Sequence, residues 1–287
     1  MSALRRIHTP SSVQEAVQLL GGEDVRCLAG GATLVAMMNA GIAEPAELVN
    51  LAGIEELHGI SSLHSGALRI GAMTRHRETA ADARLVGDLA VVRAAAGQIA
   101  NPPVRNMGTM GGSIAFADPA ADYPPALVAV GAEIEVAGPH GGRRIPARDF
   151  FIDWYTTALE PGELVVAIHL PRASSGIGLY DKLARVTGDF ATVSVALSVA
   201  RVNGTCARVG LAVGGCGPKP VRHDDVDRML LDANLDEHAA RRAGDMLAKA
   251  ADPVDDVRAT AAYRRLTIPR MIDRIVARAR AELRNAA

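Results

Sequence analysis

Apolar and polar positions along the chain separate three regions. In the first, SSVQEAVQLL at 11–20 reads as an amphipathic helix, with Val13, Val17 and Leu20 on one face and Ser12 and Glu15 at capping-box spacing. VRCLA at 25–29 reads as a short strand, Gly30-Gly31 as a turn, and Leu34, Met37 and Met38 as the face of a second helix. ELVNL at 47–51 reads as another strand and IEEL as a short turn, giving a small α/β lobe over about residues 1–55.

The second region, about 60–175, mixes both periods. ALRIGA at 67–72 alternates as a strand, and residues 86–99 read as a helix stopped by Asn101-Pro102-Pro103. A glycine-rich stretch at 108–122 follows, then a helix from Pro124 to Val130. EIEVAG and RRIPA flank Pro139-His140-Gly141-Gly142 as a hairpin, and GELVVAIHLP at 162–171 is a further strand. The third region, 176–287, opens with GLYDKLA, ATVSVALSVARV and CARVGLAVGG, which read as three antiparallel strands with Asn203-Gly204 as a turn. Two helices close it. One spans about 237–250 with Ala239, Ala243, Met246 and Ala250 inward. The other spans about 268–284 with Ile268, Met271, Ile272, Ile275, Ala279 and Leu283 inward and its arginines on a solvated face.

Composition narrows the function. The 287 residues carry a formal charge of −1, which leaves no basic footprint for nucleic acid or an anionic membrane. At 3% aromatic content there is no stacking platform for single strands. No apolar run could span a bilayer, and MSALRRIHTPSS lacks the apolar core of a secretory signal, so a cytoplasmic location is expected. Cys27, Cys206 and Cys216 show no paired spacing and the histidines no ligand pair, so no metal site is expected, and any redox chemistry falls to an organic cofactor.

Two glycine pairs are the candidate chemistry. At Leu28-Ala29-Gly30-Gly31-Ala32-Thr33-Leu34 a strand ends and a helix starts. Glycine admits positive φ there, and N–H groups at the helix start favour an anion such as a diphosphate. A plain βα turn has the same spelling. The fingerprint GxGxxG is missing: Gly176-Ile177-Gly178 begins one, but Asp181 replaces its last glycine, which disfavours a nicotinamide-binding Rossmann domain. At Thr109-Met110-Gly111-Gly112-Ser113 the surroundings stay small through Ala115, Ala117, Ala120 and Ala121. Asp118 and Asp122 supply carboxylates for sugar hydroxyls or for helix caps. Two such cradles in one chain point to a large ligand with a diphosphate and a ribose.

These motifs resemble the FAD-binding medium subunit of molybdenum hydroxylases, the family of aerobic carbon monoxide dehydrogenase and xanthine dehydrogenase. The family pattern is AGG-x-x-L near the N-terminus, then T-x-GG-[NS]-I-A followed by D-P-x-x-D. Here Ala29 to Leu34, Thr109 to Ala115, Asp118-Pro119 and Asp122 match it. Arg105-Asn106, Tyr180-Asp181-Lys182-Leu183-Ala184-Arg185, Gly188-Asp189-Phe190-Ala191 and Val213-Gly214-Gly215 with Pro218 and Pro220 extend the match from about Pro10 to the last helix.

The resemblance implies an α+β fold: a two-lobed FAD-binding domain of the vanillyl-alcohol-oxidase (PCMH) type over 1–175, then a C-terminal domain of a three-stranded antiparallel sheet with a helical bundle. It implies an electron-transfer subunit. Substrate is oxidised at molybdopterin in a large partner, and electrons cross 2Fe–2S clusters in a small partner. They reach this flavin and leave to an external acceptor, within a dimer of heterotrimers.

It assigns the diphosphate to the backbone of Ala29 to Thr33, flanked by Leu28 and Leu34, and of Thr109, Met110, Gly111, Gly112 and Ser113. It assigns a ribose or ribityl hydroxyl to Asp122, the flavin's surroundings to Leu164 and Lys182, and the adenine end to Ile99 and Ala100. Ser113 replaces the commoner asparagine, and Ala32-Thr33 replaces a histidine–serine or glutamine–serine pair. Neither change removes a backbone N–H. No catalytic acid or base is identified. A stand-alone FAD oxidoreductase would need one, and a flavin-free interaction subunit would have no use for intact glycine loops.

Overall fold

The computed structural model describes residues 6–285; residues 1–5, the start of the stretch read for a secretory signal, lie outside the described residues. The first lobe is a parallel sheet of β1 (Arg6–His8), β2 (Val25–Leu28) and β3 (Glu47–Asn50), in the order β1-β3-β2. It carries helices α1 (Val13–Leu19) and α2 (Leu34–Asn39). Ser12 caps α1 by accepting from the Glu15 N–H, but the reciprocal half of the box is displaced: the Glu15 carboxylate takes the Ser11 N–H at 2.8 Å.

The second lobe is antiparallel. Its strands β4 (Ile60–Ser62), β5 (Leu68–Gly71), β6 (Glu133–Gly138), β7 (Gly141–Pro146) and β10 (Leu164–Leu170) run in the order β4-β5-β10-β6-β7, and β8 (Phe151–Asp153) and β9 (Thr156–Thr157) form a side ribbon. Its helices are α3 (His76–Ala81), α4 (Ala90–Gln98), α5 (Pro102–Met107), α6 (Met110–Phe116), α7 (Tyr123–Val130) and the short α8 (Ala147–Phe150).

Two segments depart from the sequence reading. Asn101-Pro102-Pro103 ends one helix and also starts the next: the Asn101 side chain accepts the Val104 N–H at 3.1 Å, and the prolines occupy the first turn, where no N–H is needed. The glycine-rich stretch is helical over Met110–Phe116, with Thr109 as its cap.

The third region is a sheet of β11 (Ile177–Leu183), β12 (Val193–Val202) and β13 (Thr205–Gly214), covered by α9 (Asp224–Asp232), α10 (Glu237–Ala250) and α11 (Ala261–Asn285). Asn203 and Gly204, at φ 51° and 80°, make the tight turn between β12 and β13. The last helix starts at Ala261, well before the predicted 268, and Pro269 lies inside it. Met246 is exposed, and the buried stripe of α10 runs through Ala240, Gly244 and Leu247 as well as Ala239 and Ala243.

The central sheet is buried on both faces, and its alternation tells them apart. Val193, Val195, Leu197, Val199, Leu211 and Val213 face the helical bundle. The small residues between them face α4 and α7. Backbone meets backbone there: a Cβ on Gly178 would lie 2.4 Å from the Val91 nitrogen, and one on Gly210 would lie 2.0 Å from the Ala129 carbonyl oxygen. Asp88, buried at the start of α4, pairs with Arg208 of β13 at 3.0 Å. All eight residues of α7, YPPALVAV, are buried, between the second lobe's sheet and this one. The first and second lobes share a separate core of Ala16, Val49, Leu51, Ile54 and Leu57 with Met73, Leu164 and Val166. No helix among the described residues is long and apolar enough to cross a membrane.

Candidate functional site: a cleft between two glycine turns

A cleft of about 1020 Å³ runs between the two lobes and under the edge of the third region. That volume suits a dinucleotide-sized ligand. Both glycine turns line it, but they are built differently.

In the first turn, Gly31 has φ 74°, a left-handed conformation that a side chain would strain. Gly30 answers to packing: a Cβ on it would collide with the Met107 carbonyl oxygen, so the turn lies directly against the end of α5. Among the described residues, the N–H groups of Gly30, Gly31, Ala32 and Thr33 donate to no protein acceptor. They are therefore a ready donor set for an anion.

In the second turn the donors are already engaged. Met110 N–H donates to the Thr74 carbonyl (2.9 Å), Gly111 N–H to that of Ala72 (2.8 Å) and Ser113 N–H to that of Thr109 (3.0 Å). Gly112 N–H goes to the Thr109 hydroxyl at 3.2 Å. The first two bonds fasten α6 to the segment after β5, and the other two close its first turn on Thr109. A Cβ on Gly111 would lie 2.5 Å from that of Ala72, so Gly111 exists for this contact. Gly112, Ser113, Ala115 and Phe116 line the cleft, Gly111 lines it while packed against Ala72, and Met110 and Ile114 on the opposite side are buried. The second turn is thus a low wall of bare helix, with the Ser113 side chain on its cleft side.

Lining residues that had been singled out are Ala29 to Leu34, Ile99, Ala100, Thr109, Gly111, Gly112, Ser113, Asp122 and Leu164. Leu28, Met110 and Lys182 do not line it. Met110 is fully buried in the core beneath α6. Lys182 lies behind Asp122: its Nζ is 3.0 Å from Asp122 Oδ1 and donates to the Gln98 carbonyl at 2.7 Å. Tyr180 O–H donates to the same Oδ1 at 2.7 Å. Burial pushes the Asp122 carboxyl above its ordinary range, against the pull of Lys182 and Tyr180. Ile99 and Ala100, which the resemblance assigns to the adenine end, follow Gln98, whose carbonyl accepts from Lys182. Arg105 Nη1 donates to both their carbonyls, at 2.7 and 2.8 Å, and holds Ala100 at a left-handed φ of 41°.

Sequence reasoning missed several walls. Gly188, Asp189 and Phe190 reach the cleft from the third region, and a Cβ on Gly188 would lie 2.5 Å from the Ala100 carbonyl oxygen. The GDFA motif was the signal for them. Arg258 stands over the Phe190 ring at 5.2 Å, and Phe116 meets Tyr155 edge-on at 5.2 Å, so this end has aromatic walls. Asp118 is a local cap, accepting the Ala120 N–H at 2.8 Å. At the other end, Asp24, Arg26, Cys27, Glu44 and residues 159–163 line the cleft beside Leu164. Burial pushes the Cys27 thiol up to about 12, so it is no nucleophile. His76 also lines the cleft, its Nδ1 3.2 Å from the Tyr123 hydroxyl; burial, aided by Arg105, lowers it to about 4. No group of three or more His, Cys, Asp or Glu among the described residues could hold a metal ion.

Comparison with known proteins agrees with this geometry. Residues 3–173 match the FAD binding domain in molybdopterin dehydrogenase, and 178–279 match the CO dehydrogenase flavoprotein C-terminal domain. The chain is 36% identical to the carbon monoxide dehydrogenase medium chain of Afipia carboxidovorans, over 97% of each. It is 26% identical to the xanthine dehydrogenase FAD-binding subunit of Escherichia coli O157:H7, over 95% of this chain and 94% of that one. Among solved structures, carbon monoxide dehydrogenase from Hydrogenophaga pseudoflava superposes with a TM-score of 0.92 at 36% identity, covering 98% and 99% of the two chains. Quinoline 2-oxidoreductase from Pseudomonas putida 86 superposes with 0.88 at 28% identity, covering 99% and 98%. With a free backbone donor set, a bare helical wall and a buried carboxylate arranged along one cleft, the chain belongs to the family of FAD-binding medium subunits of molybdenum hydroxylases, and FAD is its cofactor.

Proposed function

We propose that this subunit takes electrons from 2Fe–2S clusters of a small partner, in a complex whose large partner oxidises substrate at molybdopterin, and passes them to an external acceptor. The working assembly is a cytoplasmic dimer of heterotrimers. The observation that carries the reading is the pair of unlike glycine turns facing across one cleft. Gly30, Gly31, Ala32 and Thr33 offer free N–H groups to a diphosphate, and Gly112 and Ala115 let its backbone come close. Asp122 accepts a sugar or ribityl hydroxyl. In this reading Leu164 lies beside the flavin, and Ile99 and Ala100 lie at the adenine end.

Bound FAD supplies the electron-transfer chemistry, and the chain supplies binding and orientation. Lys182 works from behind the wall, keeping a positive charge next to Asp122 so that the carboxylate stays an acceptor.

The test is to express the chain with its genomic neighbours, purify through a tag on this subunit, and assay flavin, iron and molybdenum. Yellow complexes with both metals on the other chains are expected. A tagged subunit that takes up no added FAD, alone or with partners, refutes the reading.

A further inference from the structure

The face that the third region turns toward α4 and α7 is a grid of three residues on each strand. Gly178, Tyr180 and Lys182 on β11 stand opposite Ser198, Ala196 and Ser194 on β12, and these stand opposite Gly210, Ala212 and Gly214 on β13. Glycine, alanine or serine fills every position but two, which lets the sheet seat itself against helix backbone. The exceptions, Tyr180 and Lys182, reach the same carboxylate. Tyr180 O–H donates to Asp122 Oδ1 at 2.7 Å; Lys182 Nζ donates to Oδ2 at 3.3 Å and lies 3.0 Å from Oδ1. Tyr180 is 3% exposed and does not line the cleft. Its ring could be a phenylalanine for packing alone; its hydroxyl donates to Asp122 and has the Ser194 hydroxyl as its other partner.

We propose that Tyr180 is a positioning residue for the flavin: it fixes the Asp122 carboxylate in one orientation and in its ionised form, so that FAD binding survives mild acid. The proposal rests on the FAD reading above. A donor to an ionised carboxylate stabilises that form over the neutral acid. Lys182, the other donor, comes from the same strand. From the flavin domain, Tyr123 follows Asp122 in the chain, but its hydroxyl turns to His76, beyond which lies Arg105. No other cation reaches Asp122 among the described residues, so Tyr180 and Lys182 alone oppose its burial.

The experiment titrates FAD affinity of the full-length chain against pH, for wild type and Tyr180→Phe. The pH at which FAD is released should move up by about one to two units in the variant, with the loss of affinity smallest at pH 8. An unmoved release point overturns the proposal. So does an upward move that persists when Tyr180→Phe is made in an Asp122→Asn background, since the hydroxyl would then act elsewhere. If Tyr180→Phe does not fold, 3-fluorotyrosine at position 180, a stronger donor of nearly the same shape, should move the release point down, and no movement overturns the proposal. A wild-type chain that binds no FAD at any pH defeats the functional reading itself, a distinguishable failure.

Discussion

Gly30 lies so close to Met107 that a Cβ on it would stand 1.9 Å from the Met107 carbonyl oxygen. A glycine whose N–H is free for a ligand is therefore also a seam between two lobes. Gly30→Ala should cost at least the roughly 1–3 kcal/mol of an overpacked site and release FAD, because the free donors of the first turn shift with it. Denaturant unfolding of the apo chain, beside flavin fluorescence, reads both effects.

The neighbouring glycines of α6 should behave oppositely to one another. Gly112 faces the cleft, where a Cβ would sit 3.6 Å from that of Ala29 and 2.9 Å from the Thr109 hydroxyl. Gly112→Val should abolish FAD retention and leave unfolding within about 1 kcal/mol of wild type. Gly111→Val drives a side chain into Ala72 and should destabilise the apo fold. Equal stability of the two variants would remove the distinction drawn between the turns.

Thr109 caps α6 through the Gly112 N–H. Thr109→Ala should cost about 1 kcal/mol and weaken FAD binding, with Thr109→Ser restoring most of both. Chemical denaturation of the three proteins checks it.

Lys182→Met leaves the Asp122 carboxylate buried with one donor. The loss should be roughly 3–5 kcal/mol at neutral pH. Burial already raises Asp122, so its cost to the fold grows as pH rises from the unfolded value toward the folded one. Removing Lys182 raises it further, and the variant's deficit should shrink on acidification. Thermal melts at pH 5 and pH 8 test the sign.

His76 titrates at about 4 in the fold against an ordinary 6.5. A base held low is protonated first in the unfolded chain, so stability present above pH 6.5 is lost as pH falls toward 4, by about 3 kcal/mol at most. His76→Gln should flatten this slope. An unchanged slope assigns the acid sensitivity elsewhere.

The strands at 133–146 and 177–214 were legible from their pattern, and the helix at 237–250 follows its periodicity at Ala239 and Ala243 but not at Met246 and Ala250, which are exposed. The glycine-rich stretch misled because helix propensity argues against GG, whereas tertiary contacts with Ala72 and Thr74 decide it. Helices α3 and α9 went unread, α9 because its first turn is acidic and only Val226, Asp227 and Leu230 are buried. In the site, the spelling of both turns was plain, but which turn keeps free N–H groups depends on partners distant in sequence. Lys182 was found by motif, and its place behind Asp122 by distance alone.

Helix α7 is apolar all round because it has no outside. Sequence comparison divides the chain at 173 and 178, yet this helix is core to both halves. A gene fragment ending near residue 175 would present one whole side of α7, and the backbone seats of Gly178 and Gly210, to water. The two modules should therefore be inherited and exchanged as one piece. A chimera should fold only if α4, α7 and the small-residue face of β11–β13 come from the same parent.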